Sequence, residues 1–498
     1  MMRIPVALSR QIYQRQFSTT RRRNAINKIV ASANEAIQEM RGGTTLLVGG
    51  FGFSGVPDTL INALRDRPDL KDFTVVSNNA GMPRVGLGQL LESKQISKMI
   101  ASYVGENKTF EKMYLSGELC LELTPQGTMA EKCAAGAAGV PAFYTPAAYG
   151  TIVQTGELPL KHNSDGTVAL MSKPKETRVF NNKEYVMEES IMGDYAFVRV
   201  YRADRLGNCQ FRKAQNNFNE AMGKNAAFTI VEADQIVEVG EIPPEDIHIP
   251  GIYVKRVIEA KVPKGIEKLT FEKDKNADTI ASDSDTRRLR IIKRAAKELK
   301  DGMYVNLGIG IPLATPAYLS ADVEVVLQSE NGILGMGRYP KQGQEDPDLI
   351  NPGKETVTLN TGASLFGSHE SFGMIRSGRI NLTMLGALQV DLANFMLPGK
   401  VKGIGGAMDL VANPTRTKVV ITMEHVDKKG KPKILDNCTF PLTGRQCVSR
   451  VITDLAVFDI DFREGLTLVE IAEDTTVDIV KSKTQASFKV AKNLGTFS

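Results

Sequence analysis

Cysteine and histidine are scarce in this 498-residue chain, and they are scattered. The five cysteines, Cys120, Cys133, Cys209, Cys438 and Cys447, are odd in number, far apart and free of any C-x-x-C pair. That argues against a disulfide framework and against a structural zinc site. The four histidines, His162, His248, His369 and His425, form no H-E-x-x-H, and no Ser–His or Cys–His signature is visible. Metal and triad chemistry therefore have no local signal, and no metal ligand is assigned. Acidic residues are missing from the first 34 positions, which hold seven basic ones: Arg3, Arg10, Arg15, Arg21, Arg22, Arg23 and Lys28. The rest of the chain carries 55 basic against 57 acidic residues, a net of −2. A near-neutral body offers no electrostatic footprint for a polyanion, so nucleic acid is not an expected partner. No run approaches the ~18 consecutive apolar residues of a membrane span, so a membrane is not expected either.

The N-terminus is Arg-rich, contains Ser and Thr, lacks acids and can be drawn as an amphipathic helix. Those are the marks of a mitochondrial transit peptide, expected over residues 1–25, with Arg15–Thr20 as the cleavage neighbourhood. The length calls for two or three domains. The 44 glycines favour tight turns where backbone approaches something closely.

An approximate internal repeat organises the body. The first copy reads as an amphipathic helix from Ile26 to Met40, a turn at Gly42-Gly43, and the strand Thr45–Val48. The turn Gly49-Gly50-Phe51-Gly52, then Gly55-Val56-Pro57, leads into a helix through Leu60 and Leu64. The second copy reads as a helix from Leu289 to Leu299, a turn at Asp301-Gly302, and the strand Met303–Leu307. The turn Gly308-Ile309-Gly310-Ile311-Pro312 leads into a helix through Tyr318-Leu319. Proline suits a first helical turn because its missing N–H would be unpaired there. Apolar strands alternating with helices predict an α/β fold with two similar, open, mostly parallel sheets. A polar stretch between the copies, Lys268 to Thr286, reads as an exposed linker. The expected division is a domain at 40–265, a linker at 266–286 and a domain at 287–490, with the active site between the domains.

One carboxylate stands out. The strand Val323–Leu327 runs into Gln328-Ser329-Glu330-Asn331-Gly332. Ligands in open parallel sheets bind outside the carboxyl ends of strands, and Glu330 sits at such an end. A carboxylate held there serves as base or nucleophile, although by itself such a glutamate reads more readily as a solvated surface residue. Gly50-x-Gly52-x-x-Gly55 satisfies a dinucleotide fingerprint after a strand, but no acidic residue closes a second strand at the expected distance. A nicotinamide enzyme is set aside.

Gly49-Gly50-Phe51-x-x-x-Gly55-x-Pro57 in the first half and Leu327-Gln328-Ser329-Glu330-Asn331-Gly332 in the second resemble the two signatures of the family I CoA transferases. Their order resembles the eukaryotic members, in which two bacterial-type chains are fused. The likeness runs from about Asn27 to about Asp478. It includes Ser77–Gly81, Thr124–Thr128, Asn306–Pro312 and Gly403–Asp409. It implies that Glu330 is the nucleophile, and that the side-chain amide of Gln126 and the backbone N–H of Gly406 are oxyanion donors. It implies transfer of coenzyme A from succinyl-CoA to a 3-oxo acid such as acetoacetate, releasing succinate, with ping-pong kinetics and no cofactor beyond coenzyme A as substrate. A homodimer in the mitochondrial matrix is expected. Asn78 and Asn306, at strand ends, read as positioning residues. Gly308 and Gly310 read as letting coenzyme A or the catalytic loop approach the backbone. Lys354, in Gly-Lys-Glu-Thr, reads as a contact for a coenzyme A phosphate or as a solvated lysine.

Two departures bear on the substrate. Gly42-Gly43 stands where the family's first signature usually begins with Asp or Asn. The run Leu388–Asn394 lacks a short Tyr-Gly-containing segment, and one further residue is absent near Lys400-Val401. A transferase for acetate, propionate or butyrate is the alternative within the class. A non-catalytic CoA- or sugar-phosphate-binding regulator is the alternative outside it, though a binder has no need of a nucleophile.

Overall fold

Strands such as Leu46-Leu47-Val48 are apolar without alternation, so both of their faces need cover. In the computed structural model, which describes residues 26–272, 283–397 and 399–498, they receive it from helices packed on both sides. The expected transit segment, 1–25, and the middle of the expected linker lie outside the described residues.

The first sheet is parallel along its length. Its order is Val254–Glu259, Phe228–Val237, Tyr195–Asp204, Thr45–Val48, Phe73–Val76, Ile96–Ala101, Cys120–Leu123. The second sheet has ten strands: Leu359–Leu365, Ile333–Met336, Val326–Ser329, Tyr304–Leu307, Leu382–Leu385, Lys418–Thr422, Arg450–Ile452, Ala456–Asp461, Gly465–Ala472 and Phe488–Phe497. Its five central strands, Val326–Ser329 through Arg450–Ile452, are parallel. Antiparallel strands flank them on both sides, so this sheet is mixed where a near-copy of the first was expected. A further group of short antiparallel strands, Ala142–Thr145, Pro159–His162, Val168–Met171, Thr177–Phe180 and Lys183–Glu189, is inserted in the first half.

Three local expectations change. The helix expected over Ile26–Met40 is a single turn, Ala33–Ala36, capped by the Ser32 side chain. Residues before it instead extend the first sheet: Val30 N donates to Val257 O at 3.0 Å and Val257 N to Lys28 O at 2.8 Å. Backbone pairing with a sheet edge outweighs the weak helical preference of the segment. The strand expected at Val323–Leu327 lies at Val326–Ser329, where parallel pairing sets Gln328 opposite Asn306. The helix expected through Tyr318-Leu319 is a 3₁₀ segment, Pro312–Tyr318, interrupted by Pro316, which has no N–H to give an α-helical bond.

The carboxyl ends of both sheets meet at a seam. Tyr103 bridges Gly403, Val104 N donates to Lys402 O at 3.1 Å, and Ile404 N and Gly405 N donate to Ser102 O at 2.8 and 2.9 Å. Nearby, buried Asp348 of the second half pairs with Arg212 at 2.7 Å and Lys264 at 2.6 Å of the first. Part of the expected linker is also tied down, since Thr270 N donates to Thr356 Oγ1 at 3.0 Å.

Candidate active site

At the seam lies a cavity of about 470 Å³, walled by both halves. Phe51, Asn78, Tyr103 and Gln126 come from the first; Glu330, Lys354 and Gly406 come from the second. Each arrives on a segment just past a strand's carboxyl end or on a loop between strands, the region where open α/β sheets bind ligands.

Glu330 follows Val326–Ser329 directly. The turn that carries it is braced: Ser329 Oγ donates to Asn331 Oδ1 at 2.5 Å, and Asn331 Nδ2 to Ile350 O at 2.8 Å. Among the described residues no hydrogen bond reaches its carboxylate. Burial pushes its pKa up to about 7, Asp409 adds to the rise, and Lys354 opposes it. The carboxylate rests on Gly406. A Cβ placed there would sit 2.5 Å from Glu330 Oε1 and 2.6 Å from Cδ, so any side chain would displace the carboxylate.

Gln126 opens the helix Gln126–Ala137. Its backbone N donates to Gly405 O at 3.0 Å across the seam. Its side-chain Nε2 is buried and has no partner among the described residues, although it belongs to a residue lining the cavity. An unpaired buried amide costs about 1–3 kcal/mol, so its position calls for a ligand that accepts.

Lys354 is buried, with its Nζ 2.9 Å from the centre of the Phe51 ring. Burial lowers its pKa, against the attraction of Glu267 and Glu330. This placement fits neither half of the sequence expectation: the ammonium is not solvated, and it faces the Glu330 carboxylate. Asn78 is buried and accepts from Ser102, through its O from Ser102 N at 3.2 Å and through Oδ1 from Ser102 Oγ at 2.7 Å. Ser102 in turn accepts from Gly405, so Asn78 braces the segment leading to Gly406. Gly308 lines the cavity; Gly310 and Asn306 do not. Asn306 instead donates from Nδ2 to Gln328 Oε1 at 2.7 Å, inside the sheet.

Several groups escaped the sequence reading. Tyr103, Glu267 and Lys402 carried no motif of their own. Asp409 stood inside a quoted motif but had no role. No described group of three His, Cys, Asp or Glu side chains converges to hold a metal ion.

Comparison with known proteins places this geometry. The coenzyme A transferase family model matches residues 30–260 and 288–483. Human mitochondrial succinyl-CoA:3-ketoacid coenzyme A transferase 2 is 51% identical over 486 residues, covering 96% of this chain and 93% of that protein. One of the paired chains of a probable succinyl-CoA:3-ketoacid coenzyme A transferase from Mycobacterium tuberculosis is 47% identical over 246 residues, covering 49% of this chain and 99% of that one. Among solved structures, the acyl-CoA transferase apoenzyme of Escherichia coli O157:H7 superposes with a TM-score of 0.76 at 20% identity, covering 96% of each chain. The chain belongs to the coenzyme A transferase family.

Proposed function

Starting from that membership, we propose that the chain moves coenzyme A from succinyl-CoA to a 3-oxo acid, acetoacetate, through a thioester on Glu330. One observation carries the reading. A carboxylate and an amide nitrogen, both without a hydrogen-bond partner among the described residues, share one cavity with an exposed glycine backbone, and both halves close it.

The chemistry follows from conserving the thioester's energy. A Glu330 carboxylate oxygen attacks the succinyl-CoA carbonyl, the C–S bond breaks, and a mixed anhydride and coenzyme A thiolate result. The thiolate attacks the glutamyl carbonyl, expelling succinate and leaving a glutamyl-CoA thioester. Acetoacetate then attacks that thioester, and the same two steps run in reverse. Every attack places negative charge on a carbonyl oxygen. The Gln126 amide and the Gly406 N–H are the donors for it, preorganised and shielded from water. Lys354 faces both the carboxylate of resting Glu330 and the carboxylate that replaces it. Burial also favours the reaction's direction on the enzyme, because it penalises ionised Glu330 and not the neutral thioester.

The acid is chosen in the same cavity. Leu388, Asn394 and Lys402, from the segment that departs from the family pattern, form part of its wall. We place the protein in the mitochondrion, as the names of its full-length relatives and the composition of residues 1–25 indicate. It acts there as a homodimer, with coenzyme A as substrate and no resident cofactor.

Isotope exchange tests the proposal. Labelled succinate incubated with unlabelled succinyl-CoA and enzyme, with no second acid, should yield labelled succinyl-CoA. Binding of coenzyme A without any exchange would favour a regulator and sink the transferase reading.

A further inference from the structure

The helix Gln126–Ala137 and the short helix Ala407–Leu410 belong to different halves, yet one buried carboxylate joins them. Asp409 Oδ2 accepts from Gly127 N at 2.8 Å, so the second half caps the first turn of a first-half helix. The approach is close. A Cβ at Gly127 would lie 2.6 Å from Asp409 Oδ1 and 2.5 Å from the Phe372 ring, so only glycine fits. Arg376 closes the arrangement: its NH1 lies 3.7 Å from Asp409 Oδ1 and donates to Gly127 O at 3.3 Å, and its NH2 donates to Glu131 at 2.6 Å. Asp409 is fully buried, and its Oδ1 has no hydrogen-bond partner within bonding distance among the described residues. A cap that served stability alone could have come from the residue just before the helix, as Ser32, Asn107 and Thr476 do for theirs. Here that position is Pro125, which makes no side-chain cap.

We infer that Asp409 is a positioning residue that sets the separation between the two oxyanion donors, the Gln126 amide and the Gly406 N–H. Asp409 sits three residues after Gly406 and bonds to the residue after Gln126, so a shift of its carboxylate moves one donor relative to the other. A misplacement of about 1 Å costs as much as ~100-fold in rate. The inference rests on the reading of Glu330 as nucleophile and Gln126 as donor.

The test measures coenzyme A loading onto the full-length protein from succinyl-CoA by quenched intact mass, together with steady-state turnover. Asp409→Asn should still load one coenzyme A per chain, at a rate about 10- to 100-fold lower, with kcat falling by the same factor and the KM for succinyl-CoA within about twofold. In a Gln126→Ala background the same substitution should cost less than about threefold, because the donor it positions is gone. Should Asp409→Asn fail to fold, Asp409→Glu keeps the charge and the acceptor while moving them by one methylene. It should melt like wild type and remain slow. Fewer loaded sites at an unchanged rate per site, or full additivity with Gln126→Ala, would make Asp409 a stabilising cap and overturn the inference. A wild-type chain that takes up no coenzyme A would overturn the Glu330 reading itself, a distinguishable failure.

Discussion

Two glutamates of this molecule are removed from water, one in each half, and they are treated differently. Glu232, in the first sheet, is wholly buried and fully engaged. It accepts from Thr59 N at 2.9 Å, Thr59 Oγ1 at 2.8 Å and Leu60 N at 3.2 Å, and Arg199 lies 3.5 Å away. Glu330, beyond the second sheet, faces a cavity with no hydrogen bond among the described residues and Lys354 as the opposing charge. Burial pushes both carboxyls up to about 7. A raised pKa therefore does not distinguish them; the use of their lone pairs does. The oxygens of Glu232 are occupied in capping a helix and pairing with Arg199. Those of Glu330 are free to attack.

The sharpest way to break the comparison is to replace each glutamate. Glu330→Gln should lower transfer by about 10⁴-fold or more, measured by succinate exchange, because an amide oxygen is no nucleophile. Removing the donor supplied by the other half comes next. Gln126→Ala should lower kcat by about 10²–10³-fold, with little change in the KM for succinyl-CoA. Glu232→Ala should do the reverse: it leaves Arg199 short of a partner, costs on the order of 3 kcal/mol of stability by denaturant melt, and leaves kcat per folded chain unchanged. The smallest effect sharpens the contrast by pH. A carboxyl whose folded pKa is raised contributes stability below its unfolded pKa, near 4.5, that is lost as pH rises through about 7. Glu330→Gln removes that loss, so the variant should melt a few degrees higher than wild type at pH 8 and equally at pH 5. By the same titration, wild-type kcat/KM should fall as pH drops below about 7. Lys354→Met should move that limb to higher pH, since Lys354 holds the Glu330 pKa down.

What could be read in advance followed the range of the interaction. The strand Thr45–Val48, the Gly turns after it and the placing of Glu330 past a strand end are local patterns, and local patterns write themselves into sequence. Even there, pairing with a distant partner moved the outcome, as when Val257 drew Lys28–Val30 into the sheet. The seam lay beyond reach. Nothing in Ser102-Tyr103-Val104 announces that it pairs with Lys402–Gly405, some 300 residues away. Lys354 looked like a surface lysine because its motif says nothing of Phe51, which covers it from the other half. Asp409 lacked any sign of its task because its partner, Gly127, is 282 residues distant.

The central claim is that a side chain of this protein carries coenzyme A itself, and intact mass addresses it directly. Incubated with succinyl-CoA alone, the purified protein should gain one coenzyme A less one water, mapped to Glu330, and acetoacetate should discharge it. Transfer between the two acids at full rate, with unmodified protein at every time point, would contradict it.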